Sequence, residues 1–180
     1  MFLSNTALHM RKLCFYFTFI FITALTAYYF LPEKSLPKDT AVTRIVVYKS
    51  KRKMLVYSGN SLLKTYTISL GDNPIGHKQY EGDERTPEGT YFINAKNPNS
   101  TCHKNVGISY PNPVDINNAR LLGIPTGGDI KIHGLKNGQG YMGKFQRYKD
   151  WTNGCIAVTN EEINELYTHV PIGTVIIINP

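Results

Sequence analysis

Asp150-Trp151-Thr152-Asn153-Gly154-Cys155-Ile156-Ala157-Val158-Thr159-Asn160 encodes a turn, a strand and a helix start in succession. Trp151 to Gly154 is turn-like, and Cys155 to Val158 is a short apolar run of strand character. Thr159-Asn160-Glu161-Glu162 fits a capping box, with Thr159 as N-cap and Glu162 reaching back. It predicts a helix from Asn160 to His169, closed by Pro171 and Gly173, with Ile163, Leu166, Tyr167 and Val170 as its apolar stripe. Twenty-two residues before Cys155, Ile132-His133-Gly134 ends another apolar run. A thiol is a strong nucleophile only as thiolate, and an imidazole within reach takes its proton. The pair therefore points to acyl transfer through a thioester. Most cysteines are small buried hydrophobes, but a glycine before and a strand after Cys155 suit an exposed nucleophile on a turn.

Outward from this stretch the chain is mostly β. Arg44 to Tyr48 is a β-branched run. Lys53 to Tyr57 and Leu62 to Leu70 flank Ser58-Gly59-Asn60-Ser61, a hairpin signal. Gly71 to Glu88 is rich in Gly, Pro, Asp and His, and reads as a long functional loop. Gly89 to Asn94 reads as a strand. Lys96 to Gly128 reads as mostly loop, with one helical turn or a short helix within Val114 to Leu122. Ile130 to His133 is a short strand, Leu135 to Asp150 a Gly-rich basic flap, and Thr174 to Asn179 a last β-branched strand. Short strands separated by Gly/Pro turns imply a mainly-β sandwich with one or two short helices.

The N-terminus stands apart. Leu13 to Leu31 carries no charge and follows Arg11 and Lys12. As a helix it spans about 28 Å, close to the hydrocarbon thickness of a bilayer. Tyr16, Tyr28 and Tyr29 lie near its ends, as interfacial aromatics do. The expected organisation is a short cytoplasmic segment (1–12), a transmembrane anchor (13–31), a linker (32–42) and an exported catalytic domain (43–180). A cleaved signal peptide is the alternative, with Leu25-Thr26-Ala27 a weak match to the cleavage rule. The anchor places the chain in the cytoplasmic membrane, with its domain in the periplasm or cell wall.

The 180 residues are 42% hydrophobic and carry a net charge of +7. That suits one domain plus an appendage, facing an anionic polymer or a membrane. Lys and Arg are scattered, with one cluster at Lys49, Lys51, Arg52 and Lys53, so nucleic acid is not an expected partner. The cluster reads as a hairpin edge or turn. Of the three cysteines, Cys14 lies in the apolar segment, and export leaves a Cys102–Cys155 disulfide open as an alternative to a free thiol. Cys102, His103 and His77 match no usual zinc spacing, so no metal or other cofactor is expected. His169 suits the C-terminal end of a helix dipole. Trp151 is read as lining a substrate groove or anchoring the flap, and Tyr141 and Phe145 as a lid or as ordinary packing.

The combination of Ile132-His133-Gly134, a flap, and Thr152-Asn153-Gly154-Cys155-Ile156 resembles the signature of the bacterial L,D-transpeptidase family. Gly71 to Lys78, Arg85-Thr86-Pro87-Glu88-Gly89 and Gly127-Gly128 extend the likeness over about Thr43 to Pro180. The resemblance implies an enzyme that takes an acyl group from a peptidoglycan stem tetrapeptide and passes it to an amine or to water; some relatives cut such linkages instead. A non-catalytic wall-binding module of the same fold is the further alternative. By position, Cys155 would be the nucleophile and His133 its base, with the Gly134 carbonyl fixing the imidazole tautomer. The amides of Gly154 and Cys155 are candidate oxyanion donors. Trp151, Thr152, Asn153 and Tyr141 are the substrate-binding candidates, and Asp129 and Asp150 are available carboxylates. Many family members carry Arg or Asn two residues after the cysteine, where this chain has Ala157; Lys144, Arg147 or Lys149 of the flap would be substitutes.

Overall fold

The computed structural model describes residues 2–180. The chain divides after Glu33 into two units. The first is α1 (Phe2–Phe30), within which Ala7–Phe30 is long and apolar enough to cross a membrane. The helix starts ahead of the Arg11-Lys12 pair and ends one residue short of Leu31. Phe15, Phe17, Phe19, Ile20 and Phe21 are all exposed, so the helix is apolar on every side, as a membrane or signal helix is. Three of its hydroxyls are satisfied within the helix: Thr18, Thr23 and Thr26 each donate to the carbonyl four residues back, at 2.8 Å.

The second unit, residues 34–180, is built on an eight-stranded sheet. The strands are β1 (Arg44–Tyr48), β2 (Lys53–Ser58), β3 (Ser61–Thr67), β4 (Gly89–Ser100), β5 (His103–Ile108), β6 (Lys131–His133), β7 (Ile156–Ala157) and β8 (Val175–Asn179), in the order β3-β2-β1-β8-β4-β5-β6-β7. β1 runs parallel to β8 and antiparallel to β2. In both β1 and β8 alternate residues are buried, as expected for β-branched strands with one face on a core. β4 joins the two halves: Gly89 to Phe92 pairs with β8, and from Ile93 onward the strand pairs with β5. The first and last strands also meet. Just beyond β3, Ser69 exchanges both backbone hydrogen bonds with Ala157 of β7, at 3.0 and 2.8 Å. The expected mainly-β fold is therefore one curled sheet closed on itself around a core that includes Ile45, Met54, Tyr66, Tyr91, Ile132 and Ile176.

Two helices accompany the sheet. α2 (Pro113–Leu122) starts at a capping box from Asn112 and stops at left-handed Gly123. α3 (Asn160–His169) has the Thr159–Glu162 capping box read from the sequence, and buries Ile163 and Leu166 in the core. His169 does more than sit at a dipole end: its Nδ1 donates to the Thr40 carbonyl at 2.9 Å. Together with the Val42 amide on the His169 carbonyl and buried Leu36 and Val42, this docks the segment from Leu36 onward, within the stretch expected as linker.

The stretch expected as mostly loop, Lys96 to Gly128, instead holds the end of β4 and all of β5, while α2 is the short helix read within Val114 to Leu122. The outer half of β4 is exposed, and β5 buries a polar Asn105 and a Gly107, so neither shows hydrophobic alternation. Lys49 also departs from the surface turn read for its cluster. Its ammonium is buried, donating to the Gly76 and Thr86 carbonyls and to Glu88 Oε1, the last two at 2.8 Å. Burial lowers its pKa, against the pull of Glu88. These bonds hold the long loop 71–88 against the sheet, and a second buried pair, Lys78 with Asp83 at 2.8 Å, knots the loop internally.

Candidate active site

β6 and β7 lie side by side and parallel, with Ile132 opposite Ile156 and His133 opposite Ala157. Side chains alternate along a strand, so Cys155, two residues before Ala157, emerges on the face that carries His133. Short pairing thus brings together two residues twenty-two apart in sequence. His133 is 6% exposed, and its Nδ1 lies 2.7 Å from the Gly134 carbonyl oxygen. A carbonyl only accepts, so Nδ1 carries the proton and Nε2 keeps its lone pair. This is the contact that the family resemblance implied for the imidazole. Burial holds the His133 pKa below the ordinary value; the Gly134 bond opposes this, and Lys131 and Lys136 add to it. Burial pushes the Cys155 thiol up. Its Sγ–H points at the Asp129 carbonyl oxygen, 3.8 Å away. Burial therefore favours the neutral thiol and the neutral imidazole.

The turn before Cys155 is fastened by Thr152, which is buried. Its Oγ1 donates to the Cys155 carbonyl at 2.7 Å and accepts from the Gly154 amide at 3.1 Å. Gly154, expected as an oxyanion donor, and Thr152, expected as a substrate contact, are thus bonded to each other. Gly154 is instead required by its backbone. Its φ is +121°, and a Cβ there would lie 2.6 Å from the Arg85 carbonyl oxygen. The Arg85 carbonyl thus acts as a wall behind the turn that carries Cys155. Asn153 is exposed at the turn's tip.

The flap is a 3₁₀ segment, Gly140–Tyr148, kinked at Gly143. It is tied down at both ends and beneath. The Leu135 amide donates to Asn160 Oδ1 at 2.9 Å, Ser69 Oγ donates to the Gln146 carbonyl at 2.9 Å, and Trp151 Nε1 donates to Gln146 Oε1 at 3.0 Å. Trp151 also meets the His133 ring edge to face, with centroids 5.6 Å apart. Beside it a cavity of about 300 Å³ is lined by Leu135, Lys136, Met142, Phe145, Gln146 and Trp151 among others. Trp151 therefore both lines a groove and anchors the flap. Tyr141 is 75% exposed, and Met142, Phe145 and Tyr148 of the same segment line the cavity.

Neither candidate carboxylate completes a triad. Asp150 is bound by Arg52 at 2.7 Å and by the Leu70 amide at 2.8 Å, and Asp129 pairs with Lys131 at 2.6 Å. Of the flap cations offered in place of an Arg at position 157, Arg147 pairs with Glu162 and Lys149 with Asp72. His77 contacts Asp115, and His103 contacts Asn164. Cys102 and Cys155 are both free thiols, so the alternative disulfide is not formed. Sequence reasoning did not single out Lys131, and took Arg85 only as part of the family motif and Asn160 only as a helix start. Lys131 was discoverable, since it lies two residues before His133 and hence on the same strand face.

A curled sheet thus sets a buried imidazole on β6 and a thiol at the start of the parallel strand β7. The chain belongs to the YkuD family, the L,D-transpeptidase catalytic domain, whose model matches residues 42–178. It is 31% identical over 153 residues to YqjB of Bacillus subtilis (strain 168), covering 82% of this chain and 76% of that protein. It is 29% identical over 134 residues to YafK of Escherichia coli (strain K12), covering 70% of this chain and 46% of YafK. Both relatives bear the L,D-transpeptidase family name. Among solved structures, the helical cell shape determining protein Pgp2 from Campylobacter jejuni superposes with a TM-score of 0.57 at 24% identity, over 80% of this chain and 50% of that one. An L,D-transpeptidase from Mycobacterium smegmatis gives 0.53 at 17% identity, over 78% and 59%. These two share the fold. The chain spans about half the length of YafK and Pgp2. Family membership makes it an enzyme fold of peptidoglycan modification, with an N-terminal apolar helix suited to an anchor or a signal.

Proposed function

We propose that the chain is a cysteine acyl transferase acting on peptidoglycan stem peptides, with Cys155 as nucleophile and His133 as base. The observation that carries this reading is the Nδ1-protonated, buried His133 on the strand beside Cys155. In the first step His133 Nε2 takes the Sγ proton while Sγ attacks the carbonyl carbon of the bond to be exchanged. The Cys155 amide is the donor for the oxyanion, the Gly154 amide being committed to Thr152. Collapse breaks the C–N bond, and the imidazolium returns its proton to the leaving amine. An incoming amine then attacks the thioester, giving its proton to His133, and the thiol is regenerated. Trp151, against the imidazole and along the cavity wall, lies where the leaving and entering amines must pass. Asn153, at the exposed tip of the turn, is the second substrate contact kept from the sequence reading.

α1 serves as a membrane anchor in this reading, with Arg11 and Lys12 on the cytoplasmic side and the catalytic domain exported. The free thiols support catalysis over a disulfide-bridged binding module. Incubation with purified stem tetrapeptide and a labelled D-amino acid tests the proposal. Incorporation of label in wild type and none in Cys155→Ala is expected. Tripeptide accumulation without incorporation assigns the same site to hydrolysis. Equal turnover by Cys155→Ala overturns the nucleophile.

A further inference from the structure

The catalytic strands carry a cation that the mechanism above does not use. Stepping the β6–β7 register back one residue from the Ile132–Ile156 pair sets Lys131 beside Cys155. Lys131 and His133 are two apart on β6, so they share a face. Lys131 is 29% exposed and its ammonium is held 2.6 Å from the carboxylate of Asp129, which is 80% exposed. Asp129 has a left-handed backbone (φ +62°), and its own carbonyl oxygen is the group facing the Cys155 Sγ. One short segment, Asp129 to His133, thus supplies the base, the thiol's hydrogen-bond acceptor and an ion pair open to solvent. Ala157, fully buried on the adjacent strand, brings no charge.

We propose that Lys131 is the positioning cation of this site, released from Asp129 to face the charge that develops on Cys155 and to favour acyl donors bearing a free carboxylate beside the scissile carbonyl. The substrate part rests on the acyl-transfer reading; the electrostatic part does not. The charged and titratable groups acting here have consistent signs. On Cys155, burial raises the thiol pKa most; the Lys131 backbone amide and then the Lys131 charge lower it, and Asp129 and Cys102 raise it. On His133, Lys131 and the flap residue Lys136 both disfavour the imidazolium, which keeps the base unprotonated. Asp129 is exposed, so the exchange of its carboxylate for a substrate carboxylate replaces one water-accessible ion pair by another and opposes little.

The test compares iodoacetate with iodoacetamide on the full chain. Each forms an S–C bond at Cys155 and expels iodide, while the thiol proton leaves to the imidazole or to buffer. Only iodoacetate carries a carboxylate. Rates at Cys155, followed by peptide mass mapping from pH 6 to 10, give a ratio for each variant. Lys131→Met is expected to lower the iodoacetate-to-iodoacetamide ratio by about three- to tenfold and to move the iodoacetamide profile to higher pH. Lys131→Arg restores both, and Asp129→Asn moves the ratio the other way. Asp129 is largely exposed, so that variant keeps the test decisive where Lys131→Met folds poorly. Ratios within twofold of wild type in Lys131→Met or, where that variant does not fold, in Asp129→Asn overturn the proposal. A shifted ratio without acylation by stem peptide would leave Lys131's role standing and defeat the acyl-transfer reading. Acylation with a flat ratio would do the reverse.

Discussion

Replacing Gly154 by alanine probes the catalytic turn through a residue that has no side chain to lose. The added Cβ would meet the Arg85 carbonyl oxygen at 2.6 Å and Ile130 Cδ1 at 3.3 Å. Ordinary contact begins near 3.4 Å, so the turn must retreat by about 0.8 Å from a backbone wall that cannot rotate away. Two costs combine. Holding a non-glycine residue at φ +121° costs about 1–3 kcal/mol, and overpacking costs about 1–3 kcal/mol more. A total of roughly 2–6 kcal/mol, at about 3 °C per kcal/mol for a domain of this size, lowers the melting temperature by about 6–18 °C. The thiol moves with its turn, and a displacement near 1 Å costs about 10²-fold in rate. Gly82 is the control: its φ is +84°, and a Cβ there meets nothing within 4 Å, so Gly82→Ala carries backbone strain alone. Scanning calorimetry and the rate of Cys155 acylation measure both effects. Gly154→Ala melting within 3 °C of wild type and acylating at the wild-type rate would refute the wall behind the turn.

Two further outcomes follow from the buried titrating groups. Burial keeps His133 unprotonated to below its ordinary pKa, so the acid limb of kcat/KM falls below about pH 6.5; His133→Ala slows acylation by about 10²–10⁴-fold and abolishes that limb. A limb above pH 7 contradicts the neutral resting pair. In the loop, burial raises the Asp83 carboxyl, but Lys78 and the amides of Gln79, Arg85 and Tyr80 outweigh it and hold its pKa below the usual carboxylate range. A depressed folded pKa stabilises above the unfolded value near 3.9 and is lost as pH falls through the folded one. Wild type therefore loses stability in acid below about pH 4, whereas Asp83→Ala loses about 3–5 kcal/mol already at neutral pH, as judged by urea unfolding.

The strands that were legible in the sequence are those whose two faces differ. β1 and β8 alternate burial residue by residue, and their β-branched residues mark them. α3 was legible because its cap is local chemistry: Thr159 and Glu162 close it without help from the rest of the fold. β5 was illegible because it buries Asn105 and Gly107 in place of an alternating apolar face. At the site, the sequence singled out Cys155 and His133, and the resemblance implied the Gly134 carbonyl that the imidazole meets. The commitment of the Gly154 amide to Thr152 was not legible, since it depends on where one hydroxyl points. Nor was Lys49, whose neighbours in sequence are surface cations while its own ammonium is buried against loop 71–88.

Intact-mass analysis of the full chain after incubation with a stem tetrapeptide, with peptide mapping of any adduct, tests the central claim most directly. One acyl group on Cys155, absent in Cys155→Ser and formed slowly in His133→Ala, is the predicted result. A chain that consumes the tetrapeptide while the Cys155 thiol remains unmodified, and does so equally as Cys155→Ser, contradicts it.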